Sequence, residues 1–308
     1  MEAGRGLPPR LFRPTMPAMD GDLRQRLRVH HQDDALGRWT VAWCPPPPAL
    51  AGVVSMLWYG EGHTGYQRDR ILPSGESFLL VNLGPVQYRI EPGPPERRVA
   101  FDDIWYSGQH QGPIDTEAPH GNALFGVAFR ANGGRPWLGT DAHELGDRIL
   151  PLADLLGPPA TELRDRLLAC PSLPARFSLV ESWLAKRLDP RRASNPLLAW
   201  AVHRIEASAG QVAVEALAKE AGVSRKHLAG LFRQQVGLGA KSLARIHRFR
   251  AAVAMLAGRD RVPWTELALQ CGYFDQSHLA RDFHAFSGFA PGEFIRHARA
   301  DGNAVVVR

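Results

Sequence analysis

The chain has 308 residues, 44% of them hydrophobic and 22% charged, with 37 Lys/Arg against 31 Asp/Glu for a formal net charge of +6. This composition excludes disordered, collagenous and coiled-coil chains, and Cys44, Cys170 and Cys271, far apart and without a Cys-x-x-Cys pair, exclude a disulfide scaffold or a cysteine-rich zinc site. No run of about 18 uncharged apolar residues occurs and no apolar leader core precedes Arg28, so neither a membrane span nor a secretory leader is expected, and the cytoplasm is the expected compartment.

Residues 1–38, punctuated by Gly4, Gly6, Pro8, Pro9, Pro14 and Pro17, read as a loose extension. Strand patterning follows over residues 39–134: the run Val53 to Tyr59, then Ser77 to Leu83, then Val86, Tyr88 and Ile90 alternating with Gln87 and Arg89, then Phe125, Val127 and Phe129. Pro45 to Pro48, Pro73-Ser74-Gly75, Gly84-Pro85 and Glu91 to Pro95 supply the turns, at the spacing of an all-β barrel or sandwich. Beyond Gly133-Gly134 the apolar period lengthens, as in Leu163, Leu167 and Leu168 and then Phe177, Val180, Trp183 and Leu184, so residues 135–195 form a helical connector ending in the linker Asp189-Pro190-Arg191-Arg192.

From residue 196 to 298 the helix boundaries are legible: Asn195 caps a helix with Pro196 at its first position, Val214 to Glu220 is a short helix broken at Gly222, and Ser224 caps the next. Residues 299–308 read as a tail. Leu217-Ala218-x-x-x-Gly222 recurs 50 residues on as Leu267-Ala268-x-x-x-Gly272; past the turn the offset is 51, pairing Leu228 with Leu279, Phe232 with Phe283 and Gly237 with Gly288. Each unit has helix-turn-helix spacing. Residues 197–298 also carry 13 Lys/Arg against 8 Asp/Glu, concentrating the basic charge as a polyanion-binding module would. The helix between the units, Ser242 to Leu256, is a rod of about 25 Å that could set two recognition helices near the roughly 34 Å turn of B-DNA.

Gly272-Tyr273-Phe274-Asp275-Gln276-Ser277-His278-Leu279-Ala280-Arg281-Asp282-Phe283 and Gly288-Phe289-Ala290-Pro291-Gly292-Glu293-Phe294 resemble the double helix-turn-helix domain of the AraC/XylS family of bacterial transcription regulators. Residues 39 to about 165, with Trp58-Tyr59, Leu72-Pro73 and Asn82-Leu83-Gly84, resemble more loosely the cupin-like sensor domain of one branch of that family. The resemblance implies an α+β multidomain protein: a β-rich cupin-like barrel, a helical connector and an all-α tandem helix-turn-helix domain. It implies base contacts at Gln276, Ser277, His278 and Arg281 in the second unit and at Arg225 and Lys226 in the first, where Gly230 replaces a longer side chain. Arg233, Lys241, Arg245 and Arg296 are the expected phosphate contacts.

The expected partners are double-stranded promoter DNA, RNA polymerase, a second copy of the chain and a small-molecule effector of unknown identity, with no cofactor and no membrane. Trp58, Tyr66, Glu76 and Trp105 are candidates for the effector pocket; core packing of the aromatics and a solvent-facing Glu76 are the competing readings. His63, His110 and His120 lack metal-site spacing, and Ser74 and Ser107 have no readable His/Asp partners, so no enzymatic activity is expected. The rivals are a cupin-type or DNA-repair enzyme carrying a DNA-binding module, and a front domain that only dimerises.

Overall fold

The computed structural model describes residues 22–34, 37–157, 161–256, 262–298 and 302–307. A short helix α1 (Leu23–Arg26) leads into β1 (Arg28–Asp34), β2 (Gly37–Cys44), β3 (Val54–Thr64), β4 (Arg68–Ile71), β5 (Ser77–Asn82), β6 (Gln87–Glu91), β7 (Arg97–Phe101), β8 (Ile104–Ser107), β9 (Ile114–Glu117) and β10 (Asn122–Phe129). Helix α2 (Gly134–Leu138), strand β11 (Ile149–Pro151) and helices α3 (Leu152–Leu156), α4 (Thr161–Leu168) and α5 (Leu173–Arg187) complete the front half. The back half is α6 (Pro196–Ala207), α7 (Val214–Glu220), α8 (Arg225–Gln235), α9 (Ala240–Leu256), α10 (Trp264–Gln270), α11 (Gln276–Ser287), α12 (Pro291–His297) and a last strand β12 (Ala304–Val307).

The strands form two antiparallel sheets, in the orders β1-β2-β3-β10-β5-β8-β11 and β12-β4-β9-β6-β7. Strand alternation gives the larger sheet two different faces. One carries the cross-strand row Leu57, Val127, Leu79 and Tyr106, buried against Trp137 of α2, Leu163 and Leu167 of α4, and Phe177, Val180 and Leu184 of α5. The other carries the row Trp58, Gly126, Leu80 and Trp105, and Trp105 meets Phe101 of the second sheet at a ring separation of 5.2 Å. A Cβ at Gly126 would collide with the Trp58 indole, so glycine is what lets that ring lie across the strand.

Three expectations are corrected. The extension read over 1–38 is structured within its described part: β1 pairs with β2 over its whole length, and buried Arg26 of α1 reaches Glu181 of α5 at 2.9 Å and the carbonyl of Pro45. The prolines that suggested looseness all precede Asp22; the rest of the segment, residues 1–21, lies outside the described residues. The helices expected as a connector contribute α4 and α5 to the core of the β-rich domain, because their Leu/Phe/Val stripe covers the row around Leu79 together with Trp137 of α2. The expected tail is instead strand β12, which adds to the edge of β4 in the register Ala304–Ile71 to Val307–Arg68 and buries Ala304 and Val305.

Candidate nucleic-acid interface

Local signals act as read. Asn195 Oδ1 accepts from the amides of Leu197 (2.9 Å) and Leu198, with Pro196 opening α6. Ser224 Oγ accepts from the His227 amide at 3.1 Å and Asp275 Oδ1 from the His278 amide at 2.7 Å, so each second helix starts on a side-chain cap. Gly222 and Gly272 hold the turns at φ of +65° and +76°, a conformation that disfavours side chains.

Behind the caps, the two units share one core. Leu217, Ala218, Leu228 and Phe232 of the first and Leu267, Ala268, Leu279 and Phe283 of the second are buried with Leu243, Ile246, Phe249 and Val253 of α9. Ala218 and Ala268, both buried, are small enough to let the helices of each pair pack closely. The second unit is held additionally by an aromatic cluster in which Phe249 meets Phe283, Phe286 and Phe294 at 5.0, 5.2 and 6.3 Å. Burial also pushes the Cys271 thiol up, which keeps it protonated in this core.

The opposite faces of α8 and α11 are open to solvent. Arg225, Lys226, Arg233, Gln276, Ser277 and Arg281 are exposed, as are Lys241 and Arg296, and among the described residues none of these cations is joined to a carboxylate. Two exposed helix starts flanked by uncompensated positive charge, on a rigid rod of 17 residues or about 25 Å, can receive a phosphate backbone on both sides of successive grooves. Gly230 is exposed with nothing within 4 Å of where its Cβ would be, so the first reading helix has room for a side chain and lacks one.

Two expected contacts are placed differently. Arg245 is engaged inside the module: its Nε and Nη2 donate to Asp282 Oδ1 at 3.0 and 2.7 Å, Asp282 is 1% exposed, and the guanidinium lies 5.2 Å from the Phe286 ring. It ties α9 to α11 instead of standing free for a phosphate. His278 is half-buried, its ring edge-on to Tyr273 at 5.2 Å, so the imidazole is turned partly into the fold.

The four effector-pocket candidates do not converge. Trp58 and Trp105 share the half-buried row facing the second sheet. Tyr66 lies on a separate open recess of about 620 Å³ with Gln67, Arg98 and Glu117. Glu76 is neither solvent-facing nor in the barrel: it accepts from Ser55 Oγ at 2.5 Å, burial raises its pKa, and its charged neighbours are Arg250, Glu206 and Arg130. It therefore sits on the boundary with the helical module, where Gly75 abuts Leu243 of α9. The same boundary holds Gln234 to Asp141 (3.4 Å), Ser242 to Gln111 (3.1 Å) and Arg70 to the Ser287 carbonyl (3.2 Å). Sequence alone offered no signal for these pairs. Among the described residues there is no group of three or more His, Cys, Asp or Glu that could hold a metal ion, and no helix long and apolar enough to cross a membrane.

Residues 217–297 match the helix-turn-helix domain family, and residues 43–151 match a domain of unknown function (DUF6597). No curated protein matches the chain. Among solved structures the chain is similar to ToxT from Vibrio cholerae O395, at 13% identity over 75% of this chain and 95% of that one with a TM-score of 0.41. It is also similar to unsaturated fatty acid bound wild-type ToxT from Vibrio cholerae strain SCE256, at 10% identity over 75% and 91% with a TM-score of 0.40. The C-terminal domain of AraT, a response regulator from Geobacillus stearothermophilus, matches at 24% identity over 33% and 86%, with a TM-score of 0.31. The helix-turn-helix match covers residues 217–297, where the repeat, its caps and the shared core coincide. Residues 217–297 of this chain are thus a helix-turn-helix domain, built as two units on one core.

Proposed function

We propose that the protein is a transcription regulator that binds double-stranded promoter DNA through α8 and α11 and acts by binding, not by catalysis. The observation that carries this reading is the pair of capped, solvent-facing helices whose exposed cations meet no carboxylate among the described residues, joined through one core by the 17-residue helix α9. Gln276, Ser277 and Arg281 would read bases in one half-site; Arg225 and Lys226 would hold the other, where Gly230 offers no reach, so the two half-sites are expected to carry unequal sequence information. Arg233, Lys241 and Arg296 would meet phosphates. The β-rich domain would sense a small molecule, a reading supported by the half-buried Trp58–Trp105 row between its sheets. Such a regulator would work in the cytoplasm, with RNA polymerase and a second copy of the chain as its protein partners.

Selection from random duplex DNA at defined salt, with the wild-type chain and Arg281→Ala, tests it. The wild type should enrich one motif, and the variant should lose about 1 to 3 kcal/mol of discrimination at one base pair of that motif. Failure of the wild type to enrich any sequence refutes the reading.

A further inference from the structure

The repeat offset changes from 50 to 51 between the first and second helices of the units, and the structure identifies the added residue. The turns are otherwise equivalent. The Val223 amide donates to the Ala218 carbonyl at 3.1 Å, and the Tyr273 amide to the Ala268 carbonyl at 2.9 Å, so Val223 and Tyr273 are counterparts. Ser224 and Asp275 are counterparts as caps. Ser224 follows Val223 directly, whereas Phe274 stands between Tyr273 and Asp275. Phe274 is the inserted residue, and it is 87% exposed, the most exposed large apolar side chain among the described residues.

Folding gains almost nothing from a ring so open, since hydrophobic stabilisation scales with area removed from water. The first unit closes the same turn without an added residue, so the turn does not require it. Its position is informative: Phe274 immediately precedes the cap of α11 and lies beside exposed Gln276 and Ser277. The N-terminal residues of a recognition helix are those that meet base edges in the major groove. The apolar group offered by a base pair there is the thymine C5-methyl.

We infer that Phe274 is a specificity-determining residue that packs on the C5-methyl of a thymine at the edge of the half-site read by α11. This rests on the DNA-binding reading above. It adds an apolar determinant to the polar readout of Gln276, Ser277 and Arg281, and it gives the second unit a contact that the first, with its shorter turn, has no residue to make.

The test uses the full chain and the duplex that the wild type enriches from random DNA, with thymines in that duplex replaced one at a time by uracil, which pairs identically but lacks the methyl. Wild type should lose about fourfold in affinity at one thymine, equivalent to roughly 0.8 kcal/mol at 1.4 kcal/mol per decade. Phe274→Ser should bind the unmodified duplex more weakly and be indifferent to that uracil, while Phe274→Leu should keep part of the difference. The ring is exposed, so both variants should unfold in urea as the wild type does. Enrichment of a motif by the wild type together with equal uracil sensitivity in wild type and Phe274→Ser overturns the inference while leaving DNA binding intact. So does unchanged affinity of Phe274→Ser, which would leave the ring to a protein partner. If the wild type enriches no motif, both readings fall.

Discussion

Arg245 stands between two roles, a phosphate contact and a structural tie, and the geometry selects the second. Asp282 is 1% exposed and both contacts to Arg245 converge on its Oδ1, so Arg245→Ala would strand a carboxylate in the core of the second unit. Breaking a buried pair by removing one partner costs about 3–5 kcal/mol. The Arg245 side chain is 36% exposed, so water can replace part of what is lost, and about 2–3 kcal/mol is expected. Hydrogen exchange read helix by helix in the full chain should then show amides of α9 and α11 exchanging about 30- to 150-fold faster, with the front domain unaffected. Removing both charges by Arg245→Met with Asp282→Leu should recover most of the protection, since the cost lies in the stranded carboxylate. Sequence preference on DNA should persist at low temperature. An Arg245→Ala variant with wild-type exchange, but with DNA binding weakened equally on all sequences and a salt slope shallower by about one, would refute this and return Arg245 to the phosphate backbone.

Two further outcomes follow from the boundary between the domains. Burial raises the Glu76 pKa, so the folded state holds its proton more tightly than the unfolded chain; stability should therefore fall as pH rises from the ordinary glutamate value of about 4.3 toward the raised one. Thermal unfolding across pH 4–7 should show that slope in the wild type and lose it in Glu76→Gln; an identical slope in both would assign it to another group. Deleting residues 302–308 removes β12, which buries Ala304 and Val305 and pairs with β4, and whose approach brings the Asn303 carbonyl to the Leu72 amide at 2.9 Å. Amides of Arg68 to Leu72 should exchange at least about tenfold faster while the helical module still binds DNA, and unchanged exchange there would show that the strand does not hold the two parts together.

Much of the helical module was readable because its determinants are local. The Ser224 and Asp275 caps, the Val214 to Glu220 helix and the Gly222 and Gly272 turns depend on side chains within a few residues of the backbone they satisfy. The internal repeat supplied the long-range pairing that local signals lack, and its change of offset already held the clue to Phe274. Which strands pair, and what covers them, was decided by tertiary structure. β4 and β12 are four-residue segments whose pairing energy comes from partner strands distant in sequence, so no periodicity in their own residues announces them. The same holds for charges. Nothing near Arg245 in the chain distinguishes it from exposed Arg233; only the approach of α11, which buries Asp282 beside it, turns one arginine into a tie and leaves the other facing solvent. Glu76 follows the same logic: its place at a strand start suggests an outward carboxylate, and the packing of α9 against the preceding Gly75 leaves it only partly exposed. Sequence thus determines where helices begin and what faces they offer, because those energies are local; the partners of a buried charge or an unpaired strand edge are chosen only when distant segments meet.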